Sequence, residues 1–475
     1  MSYNSEDYFL SNDFHSLLKR FEENENNGGY VLLNSDELID IAEYYHNNGN
    51  RGRASEITEK TLALYPGSAA PLLFKARIAL IEENDIAKAE RYTEMIEDKS
   101  DLEYFYMKAE IMLAQGKPDN ANQYLEDMFS TVSDEDKDYF TIDSAALFID
   151  YEYTDFAEQW LERTEDKELI EYKEQSARIL MEKGEYEESK KLFNELIDLD
   201  PYSTQYWNAL ASSQFFNNNI EDSIQSSEYS IAINPQNTVA LLNKANGLYN
   251  LGNFKEALKY YQRYNEQCPD DETGEMLMGF CHLLLDEFEE AVIHLTKAEK
   301  LAKPQSPNLI DIYKDLSFAL CRTNRVDEAM TVMDKTLKLD CDHNEMLVYR
   351  GNMLMGCGRL AESKRCFIKA LKNSKFSPNI FMLISISVFE AGDIKLAYKM
   401  FHLLFSNYKE WKDGYAYLAT CCYELGKTDE FLECLKKAAI NTPSDLKMLL
   451  GRLFPEGMKP EDYYQYLINN NKNKQ

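Results

Sequence analysis

The sequence predicts an all-α solenoid of tandem helical hairpins, and three observations carry that prediction. At 475 residues the chain exceeds the usual span of one hydrophobic core, so it must divide or repeat. Its composition, 44% hydrophobic with only 12 prolines and 19 glycines, supplies enough apolar surface for it to fold throughout. Most decisively, a small residue, a turn residue and a second small residue recur at steps of 34 along much of the chain.

In chain order, residues 1–34 read as an N-terminal capping segment. The acidic start, MSYNSEDYFLSNDF, is unlike the basic and then apolar start of a secretory signal. Residues 35–166 hold acidic, degenerate repeats, marked by Ala42, Gly49, Ala54 and Pro66, then Ala76, Asp85 and Ala89, then Ala109, Gly116 and Ala121. In the fourth repeat, Ala145 and Ala157 fit, but the turn at Tyr153–Phe156 is shortened and an acidic run, Ser133–Asp138, precedes it. A bend or break in the stack is expected there. Residues 170–303 repeat regularly: Ala177, Gly184, Ser189 and Pro201 return as Ala211, Asn218, Ser223 and Pro235, then as Ala245, Gly252, Ala257 and Pro269. After an insertion at Lys303–Pro307, a second regular block covers residues 310–443, with units starting near Ile310, Asn344, Pro378 and Lys412. Residues 444–475 read as C-terminal capping helices, the first running to about Leu453 and the last from Pro460 to Ile468, with a frayed tail from Asn469.

Two helices of about a dozen residues joined by a turn carry apolar stripes that neither can bury alone. Small residues let the helices approach, Gly or Asn gives the turn its backbone freedom, and proline stops the second helix. This pattern resembles the tetratricopeptide repeat family, with about twelve repeats between Ser35 and Pro443. The resemblance implies a right-handed α-α superhelix. It also implies that the first helices line a concave face, presenting their second, fifth, sixth, ninth, twelfth and thirteenth positions.

The net charge of −31 is concentrated: residues 1–200 hold 47 Asp and Glu against 20 Lys and Arg, and the remaining residues hold 35 against 31. Such a surface repels nucleic acid and anionic membranes and favours basic or neutral protein partners. No run of 18 apolar residues occurs, so a cytoplasmic location is expected. The nine cysteines, all between Cys268 and Cys434, read as core residues, and His282, His294 and His343 as structural or surface groups, so no metal or cofactor is expected. H-E-x-x-H, G-x-S-x-G, Walker, dinucleotide and EF-hand patterns are all missing, and the chain reads as a non-enzyme.

Two partner-binding patches stand out. On the first helices from Thr204 and Thr238, Asn208, Ser212, Phe216, Asn243, Asn246, Tyr249 and Asn250 combine amides, able to bond a peptide backbone, with aromatics. Near the C-terminus, Met382, Leu383 and Ile386, with Tyr417, form an apolar stripe suited to an amphipathic helix, to self-association or to the protein's own last helix. The family's clamp for acidic chaperone tails has no counterpart, since its lysine position beside Asn243 and Asn246 is Leu242. The expected function is a scaffold or adaptor that binds a partner peptide or helix. The alternatives are a regulatory or substrate-binding subunit of an enzyme or transcription complex, or an assembly chaperone holding a client.

Overall fold

The computed structural model describes residues 8–9, 11–26 and 33–472. Among them every regular element is helical, and twelve hairpins follow one another. Hairpins 1 to 5 pair Ser35–Asn47 with Arg51–Leu64, Ala69–Ile81 with Ile86–Glu94, Leu102–Ala114 with Pro118–Phe129, Lys137–Asp150 with Thr154–Leu161, and Ile170–Glu182 with Tyr186–Leu199. Hairpins 6 to 9 pair Thr204–Phe216 with Ile220–Ile233, Thr238–Asn250 with Phe254–Gln267, Glu272–Leu284 with Phe288–Leu301, and Leu309–Arg322 with Val326–Lys335. Hairpins 10 to 12 pair His343–Gly356 with Leu360–Asn373, Pro378–Glu390 with Ile394–Asn407, and Tyr415–Glu424 with Thr428–Asn441. The last begins at Tyr415, three residues after the expected Lys412, because Gly414 turns the chain at φ +96° just before it.

The turn explains the period. In hairpin 5, Gly184 adopts φ +77° and the Glu185 amide donates back to the Leu180 carbonyl at 2.8 Å, the bond of a Schellman motif. The same bond, from Asn219 to Gln214, from Asn253 to Leu248 and from Arg359 to Leu354, closes later first helices at the same length. Where two helices of a hairpin cross, Ala177, Ala211, Ala245, Ala257 and Ala291 are fully buried. Serine replaces alanine at some of these crossings and stays satisfied: Ser189 Oγ donates to the Ala177 carbonyl at 2.9 Å and Ser223 Oγ to that of Ala211 at 2.7 Å.

The chain forms two compact units, residues 1–243 and 244–475. In the first unit, helix Asn12–Asn26 buries Phe14, Leu17 and Phe21 against Ile39, Ile41 and Ala42 of hairpin 1. A continuous core then runs from Leu72 to Ile179. It passes without a break through hairpin 4, where a bend or break was expected. That hairpin keeps the common turn, with Glu152 in the left-handed region (φ +64°) where its neighbours have glycine. Its short second helix is anchored by Trp160, fully buried, with Nε1 donating to Asn122 Oδ1 at 2.8 Å. The acidic run before it ends in a useful role: Asp138 accepts the Glu165 and Asp166 amides at 2.8 and 3.1 Å.

In the second unit, Pro443–Leu450 and Tyr463–Lys472 close the stack, adding Leu446, Leu450, Phe454 and Tyr463 to the core of hairpins 11 and 12. The last helix thus continues past Ile468 to Lys472, and residues 473–475 lie outside the described residues.

Candidate functional site

In the first unit, the first helices carry a row of carboxylates. Asp36, Asp40 and Glu43 come from hairpin 1, Glu103 and Glu110 from hairpin 3, Asp143 and Asp150 from hairpin 4, and Glu171 and Glu174 from hairpin 5. Within each helix they stand three, four or seven residues apart, the spacing that keeps side chains on one face. Between helices they interact electrostatically: Glu43 with Glu103, Glu110 with Asp150, and Asp143 with Glu103 and Glu171. The row therefore joins hairpins 1, 3, 4 and 5, with Arg77 of hairpin 2 set among its members.

Burial is the main force on these groups. It pushes the carboxyls of Asp40, Glu43, Glu110, Asp143 and Glu174 above the usual range, and neighbouring carboxylates add to the shift. Resident cations answer only part of the charge. Arg77 pairs with Glu103 and Arg178 Nη2 with Asp150 at 2.5 Å. A cavity of about 650 Å³ opens on this face. Asp36, Asp40, Glu43, Glu82, Asp101 and Glu103 line it together with Arg77, His46 and an apolar wall that includes Leu73 and Phe74. It can hold a positively charged, partly aliphatic group.

The amide patch is engaged internally. Asn208 is 9% exposed and donates to Asn237 Oδ1 at 3.0 Å, while Asn243 Nδ2 reaches Ser212 Oγ at 3.2 Å and the Asn208 carbonyl at 3.4 Å. Phe216 is 61% exposed and stacks on Tyr186. In the second unit, Asn246 Oδ1 accepts the Tyr261 hydroxyl at 2.8 Å, Asn250 is exposed, and Tyr249 borders a separate cavity. The C-terminal stripe is half-buried by the protein itself. Met382, Ile386 and Tyr417 pack on the core cluster that contains Leu446 and Tyr463, and Leu383 packs beside Val348 and Ile380. Tyr417 stacks on Phe401 and meets Phe389 edge-on.

Sequence reasoning passed over the carboxylate row, although the signal was there. Counting second, fifth, sixth and ninth positions from Ser35, Leu102 and Ile170 selects Asp36, Asp40, Glu43, Glu103, Glu110, Glu171 and Glu174. Among the described residues, no three His, Cys, Asp or Glu side chains gather as a metal site requires, and no helix is long and apolar enough to cross a membrane. His282 and His294 stack on each other, bonded to Glu287 and Glu275.

Successive hairpins closed by one turn motif and one pattern of small residues define an all-α repeat protein. Residues 170–203 and 239–271 each match a tetratricopeptide repeat model, covering hairpin 5 and most of hairpin 7. These two stretches of the chain are thus tetratricopeptide repeats. Among curated proteins it is similar to protein O-mannosyl-transferase TMTC3 of Mus musculus, 24% identical over 172 residues, which is 34% of this chain and 19% of that protein. It is also similar to anaphase-promoting complex subunit 7 of Dictyostelium discoideum, 25% identical over 172 residues, covering 36% of this chain and 29% of the relative. The matched region thus spans less than a third of either relative. Among solved structures, MamA 41-end from Desulfovibrio magneticus RS-1 aligns at a TM-score of 0.33 and 16% identity, over 36% of this chain and 94% of that one. YrrB, described as a TPR protein with an unusual peptide-binding site, aligns at 0.33 and 14%, over 38% of this chain and 91% of its own.

Proposed function

We propose that the chain is a non-catalytic, cytoplasmic protein-interaction scaffold whose carboxylate row in hairpins 1 to 5 binds a basic segment of a partner. The observation that carries this reading is the set of half-buried carboxylates, from Asp40 to Glu174, whose burial raises their proton affinity and whose charge Arg77 and Arg178 only partly answer. A cation arriving there relieves an existing electrostatic cost, and the surrounding negative field speeds its approach. Nucleic acid and anionic membranes, themselves negative, are repelled by the same field. The likeness to a subunit of the anaphase-promoting complex supports, as a second reading, service as a binding subunit inside a larger assembly.

The test is a titration of the full chain with a fluorescent Lys- and Arg-rich peptide and with an Asp- and Glu-rich peptide of equal length. The basic peptide should bind, more weakly as salt rises, and the combined substitution Glu43→Gln, Glu110→Gln, Asp143→Asn should cut its affinity about tenfold or more. Equal binding of both peptides, or affinity untouched in the folded variant, would remove the row as the site.

A further inference from the structure

The second unit contains a cavity of different make. It measures about 620 Å³ and opens beside the first helices of hairpins 7 to 10. Its walls include four aromatic rings, Tyr249, Phe280, Phe318 and Tyr349, each from a first helix, and three carboxylates, the exposed Asp286 from the turn of hairpin 8 and Asp311 and Asp315 from hairpin 9. Phe318 is 38% exposed, so its ring presents apolar surface to the cavity.

Charge inside the cavity is unbalanced in a specific way. Asp311 already receives Lys314 Nζ at 3.3 Å, and the same ammonium lies over the Tyr349 ring. Arg322 is held over Phe288, 4.7 Å from the ring centroid, so the resident guanidinium already rests on an aromatic surface. Asp315 has no hydrogen-bond donor among the described residues. Burial pushes its carboxyl up to about 6, against the weaker pull of Lys314 and with the push of Asp311. An acidic occupant would be repelled, and a wholly apolar one would strand a carboxylate in a low-dielectric site. A cation with an aliphatic stem satisfies both the rings and the carboxylate.

We propose that this cavity is a binding site for one lysine or arginine side chain, flanked by apolar residues, of a protein partner. The side chain's charged head meets Asp315, its stem lies between Phe280 and Phe318, and the flanking apolar residue covers Leu284, which is 51% exposed. This site shares no residue with the carboxylate row. It selects a single cation in an apolar sequence context, where the row selects density of charge.

The test uses the full chain and a fluorescein-labelled peptide, GSALRLASG, compared with the same peptide carrying glutamine in place of arginine. The arginine peptide should bind about tenfold or more tightly than the glutamine peptide. Asp315→Asn should erase that difference, Asp315→Glu should restore part of it, and Phe318→Ala should weaken the arginine peptide about fivefold or more. Far-ultraviolet circular dichroism and the melting curve establish that each variant is folded. Absence of binding by the arginine peptide, equal affinity for the two peptides, or an arginine preference that survives Asp315→Asn would overturn the proposal. Weakening by Glu43→Gln, Glu110→Gln and Asp143→Asn instead would overturn it too and assign the peptide to the first unit. Failure of the row to bind the highly charged peptide, with Asp315-dependent binding of GSALRLASG intact, would sink the first reading alone.

Discussion

The two units share a scaffold and differ in what they display on it. Residues 1–243 hold 50 Asp and Glu against 20 Lys and Arg, a net of −30, whereas residues 244–475 hold 32 against 31, a net of −1. The first unit places carboxylates on its first helices, and the second places aromatic rings around the largely buried carboxylate of Asp315. Because each hairpin is closed by its turn and its small residues, the exposed face is free to change chemistry without disturbing the repeat. The units also differ inside. At the eighth repeat position the first unit uses alanine, as in Ala109 and Ala177, while the second mixes glycine, at Gly279 and Gly351, with Ala245, Ser317, Ser385 and Ala419.

The largest expected effect comes from Trp160, the ring that holds hairpin 4 in the first core. Trp160→Ala should cost about 3–5 kcal/mol, and hydrogen exchange should show lost protection in hairpins 3 to 5 with hairpins 10 to 12 unchanged. Loss of protection throughout would mean that the two units unfold as one. Next comes the glycine contrast. A methyl group at Gly351 would stand 2.4 Å from the Phe367 ring, and one at Gly279 2.6 Å from Leu295 Cγ. Gly351→Ala should therefore destabilise by about 1–3 kcal/mol in a denaturant titration, and a neutral result would show that the Phe367 ring gives way to the alanine spacing used in other hairpins.

A smaller effect follows from charge. The carboxyls of Glu43, Glu110, Asp143 and Glu174 are raised in the folded state, so their ionisation opposes folding fully at neutral pH, and that opposition fades as pH falls through their folded values toward those of the unfolded chain. Exchange protection in the first unit should rise between pH 7.5 and about 5, before paired carboxylates such as Glu94, which are lowered, begin to protonate. Glu43→Gln with Asp143→Asn should raise first-unit stability by up to roughly 1 kcal/mol at pH 7.5 and flatten that rise. A steady loss of protection on acidification would contradict the assigned direction. The smallest effect is at Glu152, whose left-handed backbone is borne by glycine in most other turns. Glu152→Gly should raise the melting temperature slightly, for a gain of about 0.5–1 kcal/mol.

The repeat itself was legible without coordinates. The 34-residue return of Ala177, Gly184 and Ser189 placed the helices and turns within a few residues, because a left-handed turn and a close crossing each demand a narrow set of residue types wherever they occur. Hairpin 4 was read only in part, by Ala145 and Ala157, since Glu152 occupies a position that glycine usually marks and the fit rests on Trp160 and Asn122, 38 residues apart. The binding candidates divide in the same way. Local sequence shows that Asn208, Asn243 and Asn246 are amides on first helices, but only packing supplies Asn237, Ser212 and Tyr261 as their partners. Sequence also counts the acids of the first unit and spaces them on one helical face. Tertiary structure alone decides that Glu43, Glu110 and Asp143 interact with acids on neighbouring helices, and that Asp315 is surrounded by rings, because desolvation and repulsion depend on what lies across the helix and not along it.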